Sequence, residues 1–125
     1  MPLYAREAVL RALPVFRATE TVPGRVVLVQ GAIDHRSAAA LRAVLMHAEA
    51  GGQGELTLDL TCCEIGDSTG LGVIVGAHHR MQLGGRKLVL TSLSPRTLRL
   101  LRVTGLHRVL WHTDAHSSAS TSLPA

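Results

Sequence analysis

Aromatic side chains are nearly missing from this 125-residue chain, which has one Trp, one Tyr and one Phe. A core must therefore be built from Leu, Val, Ile and Ala, and apolar residues at 46% are plentiful enough for one domain. The same scarcity removes the platforms on which single-stranded nucleic acid stacks. Twelve arginines and one lysine give a formal charge of +4, but they are spread along the chain, so no direct nucleic-acid binding is expected. Cysteine occurs only at Cys62 and Cys63. Neighbours cannot form a disulfide framework, and a reduced pair at a strand end is expected. No His pair at i and i+4 carries a Glu and no Cys-x-x-Cys is present, so neither a metal nor another cofactor is expected. No apolar run approaches the roughly 20 residues of a membrane helix. The N-terminus has no secretion-signal pattern, so no membrane insertion and a cytoplasmic location are expected.

What is present alternates between strand and helix patterns. Residues 1–14 read as an extension, with Leu3, Val9, Leu10 and Leu13 loosely on one helical face and Pro14 ending it. Two apolar runs, 15–21 and 25–30, flank Val22-Pro23-Gly24 and predict a hairpin. Val26 to Val29 is continuous, which predicts burial on both faces. Gly31 to His35 reads as a loop. A helix over 36–50 follows, with Leu41, Val44, Leu45 and Ala48 as its core stripe. Alternation over 55–60 predicts a strand. A helix over 68–83 has Leu71, Ile74, Val75 and His78 at core spacing, and Gly84-Gly85 ends it. Residues 87–91 predict a strand. Ser94-Pro95 starts a helix that Gly105 ends, with Arg96, Arg99 and Arg102 on its solvated side. Residues 108–112 form a short last strand or a segment flanking that helix. Residues 115–125 are rich in Ser, Ala and Thr and should be disordered. This order implies a mixed sheet of four to five strands with covering helices.

The stretch from Gly66 to Gly76 organises the chain. Asp67 or Ser68 can cap the helix, because an oxygen there accepts from an unpaired backbone N–H. Ser68-Thr69 at a helix start is also a backbone setting that tolerates a phosphoryl group. Asp67 would repel that group, as would Asp34 if the two loops share an edge, so phosphorylation would block a partner rather than lock a new fold. A serine hydrolase would need a base. His78 and His79 lie about 15 Å along the helix from Ser68, leaving only His35, and the Gly-x-Ser-x-Gly string is absent. Gly70, Gly72 and Gly76 do not sit between the first strand and first helix as a dinucleotide fingerprint should. Three glycines in three helical turns, each costing about 0.8–1 kcal/mol against Ala, instead suggest close packing at Gly72 and Gly76 or a docked partner.

With Gly31-Ala32-Ile33-Asp34, Leu58-Asp59-Leu60, Asp67-Ser68-Thr69-Gly70-Leu71-Gly72, the run from Gly84 to Leu88 and the run from Leu101 to Leu106, the chain resembles the bacterial anti-sigma factor antagonists, the stand-alone STAS domains, over residues 15–114. The resemblance implies a STAS-like α/β fold and a binding module rather than an enzyme. It implies phosphorylation of Ser68, with Thr69 the alternative, by an anti-sigma factor that is also an ATP-dependent serine/threonine kinase. It implies a phosphatase for phospho-Ser68, and partner binding through Asp34, Asp67, Ser68, Thr69, Gly70 and Gly72. The unphosphorylated form would hold the kinase and free a sigma factor. Gly66 departs from the larger residue common in the family, and the extra N-terminal segment leaves self-association into a homodimer open. The alternative implied by other members is a non-switching subunit of a membrane transport or stress-sensing complex.

Overall fold

Val22, Pro23 and Gly24 turn the chain so that its first two strands pair. Gly24 has φ +69°, and a Cβ there would lie 2.4 Å from the Gly51 carbonyl oxygen, so the turn admits only glycine without strain. The computed structural model describes residues 14–114; the helix expected in the N-terminal extension and the disorder expected over 115–125 lie outside those residues. The elements are β1 (Arg17–Val22), β2 (Val26–Ile33), α1 (Ala38–Ala50), β3 (Glu55–Ile65), α2 (Ser68–Leu83), β4 (Lys87–Leu93), α3 (Pro95–Thr104), a 3-10 turn (Leu106–Arg108) and β5 (Trp111–Asp114).

The five strands lie in the order β1-β2-β3-β4-β5, antiparallel between β1 and β2 and parallel thereafter. Each crossover steps one place in the same direction. Right-handed connections therefore put all three helices on one face. A single apolar cluster fills that interface, including Val27, Val29 and Ile33 of β2, Leu56, Leu58 and Leu60 of β3, and Leu41, Ile74 and Leu101 from the helices. Val27 and Val29 are fully buried, while Val26 and Leu28 are half-buried. The expected burial of this run on both faces is thus corrected, because among the described residues no helix covers the other face. Leu88 and Leu90 belong to the cluster and Val89 between them does not, as alternation along β4 requires.

β3 runs to Ile65 rather than ending at residue 60. A bulge between the Leu28–Asp59 and Gln30–Cys62 pairs interrupts the alternation but not the ladder. Thr61 and Cys62 are exposed and Cys63 is buried. β2 likewise continues to Ile33, where a loop was expected from Gly31. On α2 the inward residues are Leu71, Ile74, Ala77, His78 and Met81, with Val75 only half-buried. β5 begins at Trp111 rather than 108 because the 3-10 turn takes up residues 106–108.

Arg86 ties together the end of the layers where α1 and α2 finish. Its guanidinium donates to the carbonyls of Ala48 and Glu49 at 2.9 Å, Gly54 at 3.0 Å and Gly24 at 2.6 Å. Ala48 and Glu49 lie in the last turn of α1, where intrahelical donors run out, and the bonds to Gly54 and Gly24 carry the same side chain on to the two neighbouring turns. Beside it Arg80 of α2 makes a two-pronged pair with Glu49 of α1, at 2.8 and 2.9 Å.

Candidate functional site

β2 and β3 are in register at their ends, with Ile33 opposite Ile65. The two loops that follow therefore leave the same edge of the sheet, the carboxyl ends of its parallel strands, where ligands of open α/β sheets are commonly met. The Gly66 N–H donates to the Ile33 carbonyl at 2.8 Å, joining the loops directly. One turn into α2, a Cβ on Gly70 would lie 2.4 Å from the Ile33 carbonyl oxygen and 2.7 Å from its Cγ2. Glycine at 70 is what lets α2 seat against the end of β2.

Asp67 is the N-cap of α2. Its Oδ1 accepts from the Gly70 N–H at 3.0 Å, while Oδ2 accepts from the His35 N–H at 2.9 Å and lies 3.1 Å from the His35 Nδ1. The Gly70 and His35 backbone donors hold its carboxyl down at about 2. With Asp67 as the cap, Ser68 is freed from that task. It is the first residue of α2, and both it and Thr69 are exposed.

Asp34 is buried at 8% exposure, in a nest of its own loop. Its carboxylate accepts from the Arg36 guanidinium at 3.0 Å and from the Arg36 N–H at 2.8 Å, and its N–H donates to Ser37 Oγ. The Arg36 guanidinium, ahead of the backbone donors, lowers its carboxyl from the usual range. This turn occupies residues 34–37, so α1 starts at Ala38 instead of 36. Asp34, Asp67, Ser68, Thr69 and Gly70 are thus brought to one edge. Gly72, two residues beyond Gly70 on α2, is exposed; a Cβ there would meet nothing within 4 Å. At Gly76 the nearest atom to such a Cβ is the Arg80 guanidinium, at 3.4 Å. The close backbone approach expected at Gly72 and Gly76 is therefore found at Gly70.

His35 does reach this edge, but its ring is turned to Asp67, and among the described residues it makes no hydrogen bond to Ser68. Burial pushes the Cys63 thiol up to about 12, so it is not a nucleophile near neutral pH. Arg36 and Ser37 were not singled out from the sequence, although an Asp at a strand end commonly accepts from the backbone N–H two residues on, as Asp34 does from Arg36. A second missed feature is a groove between α2 and α3, lined by Ser68 and by Arg96 and Arg99. The sequence places the two arginines on a solvated face, because their position relative to α2 is set only by packing.

The family model of the STAS domain matches residues 14–119. The chain is 40% identical over 83 residues to the anti-sigma-B factor antagonist of Bacillus subtilis, covering 66% of this chain and 74% of that one. It is 46% identical over 55 residues to the anti-sigma-B factor antagonist of Listeria monocytogenes, covering 44% of this chain and 48% of that one. The chain thus spans about half the length of this second relative. Among solved structures it resembles the anti-sigma factor antagonist SpoIIAA in its unphosphorylated form, with TM-score 0.63 and 19% identity over 82% of this chain and 91% of that one. A Thermotoga maritima protein described as a "putative anti-sigma factor antagonist" gives TM-score 0.64 and 23% identity over 89% of this chain and 93% of that one. At these identities the structural likeness concerns the fold.

Proposed function

We propose that this chain, which belongs to the STAS domain family, is an anti-sigma factor antagonist: a binding module, without catalysis of its own, switched by phosphorylation at Ser68. The observation that carries the reading is the division of labour at the start of α2. Asp67 caps the helix, and Ser68 stands exposed beside it with no part in the cap. A serine that merely started the helix would be doing what Asp67 does. The names of the Bacillus and Listeria relatives support the same role.

In this reading the partner is an anti-sigma factor that is a serine kinase. Unphosphorylated, the chain occupies it and a sigma factor is freed to direct transcription. The kinase transfers the γ-phosphoryl group of ATP to Ser68 Oγ. The bond to ADP breaks, the new P–O bond forms, and the hydroxyl proton passes to a base of the kinase. Phosphoserine brings about −1.5 to −2 charge to the docking edge, and binding ends. A phosphatase restores the hydroxyl, and the cytoplasm is the setting. Thr69, one position into the turn, is the alternative acceptor. The docking surface comprises the Asp34 loop, the start of α2 and its exposed face at Gly72.

The test is affinity capture from the native cell extract. The baits are the wild type, Ser68→Ala, and protein carrying phosphoserine at position 68. Retention of a kinase-like ATPase by the first two and not by the third is the expected result. Capture of the same membrane transport proteins by all three would overturn the switch and favour a structural subunit.

A further inference from the structure

The groove between α2 and α3 has a volume of about 810 Å³ and opens at the start of α2. Ile65, Leu71, Leu100 and Val103 give it an apolar floor, and Val103 is 77% exposed. Ser68 lines it from α2, and Arg96 and Arg99 line it from α3. The two arginines are three residues apart on one helix and so share a face. Arg102, one further step along, is exposed and does not line the groove. Among the described residues, neither of these two arginines is engaged with an acidic group, whereas Arg36 is paired with Asp34. Of the acidic groups lining the groove, Glu64 accepts from the Thr97 hydroxyl at 3.2 Å, and Asp67 is filled by Gly70 and His35.

We propose that Arg96 and Arg99 receive the phosphoryl group of phosphorylated Ser68 across the mouth of this groove. The inference rests on the reading of Ser68 as the acceptor. A phosphate offers three strong acceptor oxygens, and guanidinium forks match them in pairs. The charge that Asp67 and Asp34 would leave uncompensated is thereby answered from α3. Drawing the two side chains over the opening also covers the apolar floor between the helices. Phosphorylation then acts by closing a surface as well as by adding charge. It follows that Ser68→Asp, with one shorter carboxylate, is an incomplete mimic.

The test is a 31P NMR titration of the full chain with phosphoserine installed at position 68 during translation. It compares the wild-type background with Arg96→Gln/Arg99→Gln and with Arg102→Gln. The charged and titratable groups around the phosphate are Glu64, Asp67, Arg96 and Arg99 of the groove and His35 and the Asp34–Arg36 pair of the adjoining loop, and a His35→Gln background removes the imidazole. In the wild-type and Arg102→Gln backgrounds the phosphate's second ionisation is expected below its ordinary value near 6, by roughly half a unit or more. The depression should shrink as salt is raised. In the double variant the ionisation should return towards 6, with an unchanged far-UV circular dichroism spectrum showing that the fold is kept. Equal titrations in the wild-type and double-variant backgrounds would overturn the clamp. Failure of the kinase to modify Ser68 would instead overturn the switch reading and leave the titration standing, since no kinase is used to install the group.

Discussion

Two glycines two residues apart should respond oppositely to the same added methyl group. At Gly70 the new Cβ would sit 2.4 Å from the Ile33 carbonyl oxygen, 2.7 Å from Ile33 Cγ2 and 2.8 Å from the Ile33 carbonyl carbon. That is about 1 Å inside ordinary contact, and two of the three atoms are backbone in a fully buried residue. Overpacking of this kind costs about 1–3 kcal/mol. The gain from replacing glycine in a helix is at most about 1 kcal/mol. An overlap this deep against backbone belongs at the upper end of that range, so Gly70→Ala should lose about 2 kcal/mol net, lowering Tm by roughly 6–10 °C in a domain of this size. At Gly72 the added Cβ meets nothing within 4 Å. Gly72→Ala should keep the whole propensity gain of about 0.8–1 kcal/mol, raising Tm by roughly 3–5 °C. Scanning calorimetry on the unphosphorylated chain measures both. A Gly70→Ala protein as stable as wild type, or a Gly72→Ala protein less stable than it, would refute the reasoning about how α2 seats on β2. Capture of the kinase partner by Gly72→Ala should nevertheless weaken, because the methyl group stands on the exposed face assigned to docking.

Acid should reveal the Asp67 cap. Its folded carboxyl value, about 2, lies below the unfolded value of about 3.9. The folded state binds fewer protons, so this stabilisation is present above pH about 4 and lost as pH falls through about 2. Urea melts of wild type and Asp67→Asn should converge over that range. His78 is buried with an unpaired Nδ1, and burial pushes its imidazole below the ordinary range. Its contribution is thus present above pH about 6.5 and lost as pH falls through the lowered native value, so His78→Leu should flatten the stability profile there. Arg86→Lys keeps the charge but loses the planar fork that reaches four carbonyls; urea unfolding should show a loss of about 1–3 kcal/mol.

Where local chemistry dictates an element, the sequence was legible. α2 starts and stops where Asp67 and Gly84-Gly85 say it should, and α3 follows from Ser94, Pro95 and Gly105. Whether Asp34 and Asp67 share one edge was open in the sequence; the parallel register of β2 and β3, with Ile33 opposite Ile65, brings them there. The bulge in β3 was not legible, since it shifts the inward side of the strand at Thr61 and Cys62 and makes a continuing strand read as a loop. Nor was it evident which glycine meets a neighbour. Gly70, Gly72 and Gly76 look alike in sequence, and only the rotation of α2 on the sheet selects Gly70. Arg96 and Arg99 lie opposite an apolar stripe, as solvated arginines do. Their place across a groove from Ser68 depends on how two successive helices, joined through β4, are spaced on the sheet.

The proposed switch requires that a phosphoryl group on Ser68 release the partner. Isothermal titration calorimetry addresses it most directly, with the serine-kinase anti-sigma factor recovered by capture titrated against the unphosphorylated chain and against the chain carrying phosphoserine at position 68. Loss of at least about tenfold in affinity, or 1.4 kcal/mol, on phosphorylation is the predicted result. Equal affinities for the two forms would contradict the account.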